Sequence, residues 1–135
     1  MPNNTFRIVV SSPDGKSLID DVEILNMVLT DGAIGILKGC APLIGIIAIS
    51  HFNYVKNGKR KNFAISGGIL DVQKDKVLIL AETFESVEEI DKERVQASKK
   101  HWEEVLKQHP SDKETFEKAE LSLKKAINRI SLTDD

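Results

Sequence analysis

Between Phe6 and Ala81 the chain sets short apolar runs between turn formers. FRIVV, VEILNMVL, AIGIL, LIGIIAI, FNYV, NFAIS, GILDV and KVLIL are divided by Pro13-Asp14-Gly15, Asp31-Gly32, Gly39, Asn57-Gly58, Gly67-Gly68 and Lys74-Asp75. Many short strands at close spacing predict an antiparallel sandwich or barrel. In VEILNMVL the alternation assigns Val22, Ile24 and Asn26 to one face. Asn57-Gly58 is the preferred centre of a type I′ hairpin, since both central residues of that turn need positive φ.

The period changes after Glu85. Ser86-Val87-Glu88-Glu89 and Ser111-Asp112-Lys113-Glu114 have capping-box spacing, in which a serine oxygen and a glutamate carboxylate satisfy backbone donors at a helix start. Two helices are predicted, at 87–108 and 112–131, with His109-Pro110-Ser111-Asp112 as the turn between them. The second has an apolar stripe of Phe116, Ala119, Leu123, Ala126, Ile127 and Ile130, and the first a looser one of Ile90, Ala97, Trp102, Val105 and Leu106. Two narrow stripes on charged helices predict an antiparallel hairpin, with residues 1–85 as one domain and 86–135 as the other.

Composition narrows the function classes. The 19 basic residues against 21 acidic ones leave no field that would gather nucleic acid or anionic lipid. The run APLIGIIAI at 41–49 is far shorter than a membrane-crossing helix. One cysteine, Cys40, makes no internal disulfide, and MPNNTFR has no apolar signal core, so a reducing cytoplasmic setting is expected. Cys40 with His51, His101 and His109 has no spacing expected of a thiol nucleophile or a metal set. The basic run KNGKRK at 56–61 reads as a hairpin with lysines guarding an exposed edge. In the helices Asp91 and Arg94 lie three apart on one face, and an antiparallel return brings Arg129 to the same end.

Three blocks resemble one family, the epsilon subunit of F-type proton-translocating ATP synthase. They are TDGAIGILKGCAPL at 30–43, ISGGILDVQ at 65–73 followed by VLILAE at 77–82, and AELSLKKAINRI at 119–130. Lys38 and Cys40 stand where the family usually has proline and histidine, and Ala33 where it is often acidic.

The resemblance implies an N-terminal β-sandwich of about ten strands and a C-terminal antiparallel α-helical hairpin. It implies a non-catalytic rotor subunit on the cytoplasmic face of the membrane, held there only through the complex. The sandwich would bind the gamma subunit on one face and the c-ring at one end, through Asp31, Gly32 and Ala33. The hairpin would inhibit ATP hydrolysis by the alpha and beta subunits, with Lys124, Lys125 and Arg129 as contacts. No cofactor is required, but a regulatory ATP site is implied at Ile90, Asp91 and Arg94 with Arg129, where Val95 replaces the motif's alanine and His101 an arginine. Two other readings remain, a nucleic-acid-binding β-barrel with a helical oligomerisation arm and a small hydrolase using Cys40.

Overall fold

The computed structural model describes residues 4–108 and 112–133, in two compact units, Met1–Ser86 and Val87–Asp135. The first holds eight strands among the described residues: β1 Phe6–Ser11, β2 Ser17–Val22, β3 Ile24–Leu29, β4 Gly32–Ile36, β5 Leu43–Lys56, β6 Lys59–Val72, β7 Lys76–Ala81 and β8 Phe84–Ser86. Their order is β2-β1-β7-β6-β5-β3-β4, with β8 beside β6. Every pairing is antiparallel except that of β1 with β7, where Arg7 to Ser11 run alongside Lys76 to Leu80.

LIGIIAI and FNYV fuse into β5, and NFAIS and GILDV into β6, so the eight apolar runs make six strands, and β2 and β8 bring the number among the described residues to eight. Asn57 at φ 52° and Gly58 at φ 74° make the tight turn between these two long strands.

Val22 ends β2, and a bend at Glu23 starts a new strand, so the buried set in β3 is Leu25, Met27 and Leu29. The expectation that Ile24 and Asn26 share one face with Val22 is therefore corrected. A bend resets the period-two alternation, and a shift of one residue exchanges the faces.

The core gathers Ile8, Val10, Leu25, Ile36, Phe52, Tyr54, Phe63, Leu70 and Ile79 with their neighbours. Phe52 and Phe63 stack with centroids 4.8 Å apart, and Tyr54 lies 5.6 Å from Phe63. Lys16 Nζ donates to the Phe84 carbonyl at 2.7 Å and sits 4.7 Å from that ring's centroid, pinning β8 to the β1–β2 turn.

Midway along, β6 changes neighbour: Phe63 to Ile65 pair with β8, and Gly68 to Val72 with β7. The hand-over is held by the Glu82 N–H on Gly67 O at 2.9 Å, the Ser66 N–H on Thr83 O at 3.1 Å, and a Ser66–Thr83 hydroxyl contact. Gly68 has φ +151°, and a Cβ there would lie 2.2 Å from Leu80 O. Only glycine lets the two backbones approach this closely.

Side chains also join β2 to β5, which are not neighbours in the sheet. Tyr54 Oη donates to Asp20 Oδ2 at 3.2 Å and Lys56 Nζ to Oδ1 at 2.5 Å. Burial pushes the Asp20 carboxyl up, but the bond from Lys56, the Asp21 N–H, the Lys56 charge and Tyr54 together hold it below the usual range. Burial, then the charge and hydrogen bond of Asp20, push the Tyr54 phenol up to about 12.

A phenol with a raised folded pKa contributes stability that is full below about pH 10, its unfolded value. That contribution is lost as pH climbs through about 12. Asp20 works oppositely: its contribution is present above the unfolded carboxylate value of about 4 and falls away at lower pH. Urea unfolding at pH 8 and pH 11 should show a larger alkaline loss for the native chain than for Tyr54→Phe. Equal losses would refute the coupling.

In the second unit a 3-10 turn, Val87–Glu89, precedes α1, Lys92–Gln108, and α2 covers Lys113–Thr133. The first helix thus starts five residues later than predicted at 87, and Ser86 ends β8 instead of capping it. Asp91 takes the cap: its Oδ1 accepts the Arg94 N–H at 3.1 Å. Asp112 caps α2, its Oδ1 accepting the Thr115 N–H at 3.3 Å, while Ser111 lies outside the described residues with His109 and Pro110. The helices pack on each other. Ala119 and Ala126 are buried, whereas Phe116 and Ile127 are exposed and leave the predicted stripe.

Candidate functional site

Apolar side chains have collected on the outside of the sandwich. Strand pairing places Ile46, Ile69, Leu80, Ser11 and Ser17 in one row across β5, β6, β7, β1 and β2. The next row is Ile44, Asp71, Leu78, Val9 and Ile19. Ile44 is 76% exposed, Ile46 65%, Ile19 63%, Leu80 49% and Ile69 46%, so these are outward positions and not core. Beyond Asp71 the polar row Gln73, Lys76, Arg7 and Asp21 closes that side. Arg7 Nε donates to Asp21 Oδ1 at 3.2 Å within it.

A contiguous apolar field with a polar margin is the surface expected of a protein-docking site. Directly opposed side chains in such rows lie about 5 Å apart, so the rows form one surface. Next to it a shallow groove of about 600 Å³ is lined by residues 29–34 and 43–46. Asp31, Gly32 and Ala33 form its exposed lip, at the turn between β3 and β4, where Gly32 has φ +138°.

In the hairpin unit Asp91 and Arg94 are exposed in the first turn of α1. One Asp91 oxygen is engaged as the cap. Arg129 lies near the end of α2, and with four residues between two packed helices the return is antiparallel, which places Arg94 and Arg129 at one end. Ile90 is buried just before α1. Lys124 is exposed, while Lys125 and Arg129, one turn apart, are half-buried.

Elsewhere, Cys40 Sγ donates to Ala41 O at 3.6 Å. No group of three potential metal ligands occurs among the described residues. None of their helices is long and apolar enough to cross a membrane.

Residues 5–87 match the family model for the ATP synthase delta/epsilon chain β-sandwich domain, and residues 88–134 that for its long α-helix domain. The ATP synthase epsilon chain of Bacillus licheniformis is 38% identical over 128 residues, covering 95% of this chain and 97% of that one. That of Caldicellulosiruptor saccharolyticus is 37% identical over 131 residues, covering 96% and 94%. A chain in the Euglena gracilis mitochondrial ATP synthase structure of OSCP, F1 and c-ring shares the fold, with TM-score 0.79 and 19% identity over 92% of this chain and 78% of that one. With both domains matched in order and the relatives covered almost end to end, this chain belongs to the ATP synthase epsilon-chain family.

Proposed function

We propose that the chain is a non-catalytic part of the rotor, docked through its outer apolar face on the gamma subunit and through Asp31, Gly32 and Ala33 on the c-ring. The carrying observation is the double row around Ile46 and Ile69, whose exposure is hard to maintain on a subunit that works alone. Two solved structures that share this fold, one of an F1/c-ring assembly and one of a central stalk with its c-ring, support this reading. A sandwich fastened on two sides would turn with its neighbours and carry torque, which needs rigidity and contact area and no reacting group. Membrane association would come through the complex.

The test is calorimetric titration of the full chain with purified gamma subunit, followed by reconstitution into enzyme depleted of this subunit. A stable complex and restored coupling of proton flow to ATP synthesis are expected. Absence of binding at tens of micromolar would overturn the reading.

The hairpin is proposed as the regulator of hydrolysis by the alpha and beta subunits. Lys124, Lys125 and Arg129 would meet acidic segments there, since guanidinium and ammonium groups pair with carboxylates. ATP would hold the folded hairpin, with Arg94 and Arg129 on phosphate oxygens, the uncapped Asp91 oxygen on the exocyclic amine and Ile90 offering apolar surface to the base. ATP should give a saturable signal with the isolated chain that the Arg94→Ala, Arg129→Ala double variant lacks. In assembled enzyme, alanine at 124, 125 and 129 should raise hydrolysis. Equal ATP binding by the double variant would remove the site, and unchanged hydrolysis would remove the inhibitory contact.

A further inference from the structure

We propose that Asp71 is a specificity-determining contact of the docking face, and that the subunit covering this face presents one arginine or lysine to it. This rests on the docking reading above. Among the ten residues of the two outward rows, Asp71 alone carries a charge. It stands directly between Ile44 on β5 and Leu78 on β7, with Ile69 two residues before it on the same strand face.

Its hydrogen-bond partner is neutral: Gln73 Nε2 donates to Asp71 Oδ2 at 3.0 Å. Arg7, the nearby guanidinium, is already joined to Asp21. Lys76 stands in the neighbouring row, and among the described residues Asp71 makes no ion pair.

While the face is open, water solvates this carboxylate. Once a partner covers Ile44, Ile69 and Leu78, that water goes, and a single amide does not compensate a buried charge. An acid tolerated among Ile44, Ile69 and Leu78 on a docking surface is therefore matched from the other side. A guanidinium is the best fit, because its fork can meet both carboxylate oxygens while the flanking isoleucine and leucine exclude solvent. The same arrangement rejects partners that bring an acid or a bare apolar patch to this point, which is how such a charge confers selectivity.

The test compares the full chain with Asp71→Asn and Asp71→Leu in titrations against purified gamma subunit at 50 and 300 mM salt. Asp71 is on the surface, so both variants should keep the native far-ultraviolet spectrum. Both are expected to bind at least ten-fold more weakly, with a flatter salt dependence, as loss of a desolvated charge pair requires.

Leucine separates the readings, since it suits a purely apolar interface better than aspartate does. Binding by Asp71→Leu as tight as or tighter than the native chain would overturn the proposal while leaving the docking face intact. Should that variant misfold, native affinity with unchanged salt dependence in Asp71→Asn would overturn it equally. If the unaltered chain does not bind gamma, the docking reading fails and this one falls with it.

Discussion

Gly68→Ala is expected to cost the sandwich about 3 kcal/mol or more, the sum of backbone strain and a steric overlap that no side-chain movement relieves. The added Cβ would lie 2.2 Å from Leu80 O and 3.0 Å from Ala81 Cα, both backbone atoms of β7. Relief means pushing β7 away from β6, and β7 also carries β1 on its other edge. The φ of +151° compounds the damage, because an L side chain rarely adopts it. Gly35→Ala is the control: its Cβ would meet only the Asn26 side chain, at 3.4 Å. Urea unfolding followed by far-ultraviolet circular dichroism should show a large midpoint drop for Gly68→Ala and a small one for Gly35→Ala. A near-native midpoint for Gly68→Ala would mean that the β6–β7 approach is looser than described.

The largest functional effect is expected from Ile46→Asp. Ile46 is 65% exposed, so the fold should tolerate the change. Docking should not. The new carboxylate would enter the apolar row at its β5 end, opposite Ile69 and diagonal to Asp71, and would be desolvated beside another acid. Affinity for gamma should fall at least a hundred-fold, about 2.7 kcal/mol, whereas Ile19→Asp on β2, at the far end of its row, should do less. Calorimetric titration decides it. Native affinity in Ile46→Asp, with the native spectrum retained, would place the gamma contact on another surface.

The strands were legible where apolar runs and turn residues were both strong. Asn57-Gly58 positioned the β5–β6 hairpin because positive φ at two successive residues is a demand few sequences meet. Strand β2, SLIDDV, escaped notice because Asp20 and Asp21 break its apolar content, though Leu18 and Val22 still face inward. Strand β8 was invisible since three residues hold no period.

Helix α1 began later than expected because capping by Asp91 depends on where the chain leaves β8, which no local spacing reveals. The docking face did have a signal. Strands of an antiparallel sheet with one solvated face should alternate, and LIGIIAI and KVLIL do not. Unbroken apolar runs there mean that both faces need cover, and the fold supplies it on one. Gln73, Lys76, Arg7 and Asp21, which bound that face, are scattered in sequence and gather only through strand register.

The parallel pairing of β1 with β7 also governs the order of assembly. The first strand can form a hairpin with β2 as soon as both exist, but Ile8 and Val10 stay only half-enclosed until residues 76–81 arrive on their other side. A chain emerging from the ribosome would therefore hold its N-terminal hairpin open while β3 to β6 are made. Closure is a late, non-local event whose loop entropy must be met before any contact compensates it, and such topologies fold slowly. Strand β1, made first of the eight described, is among the last to find its place.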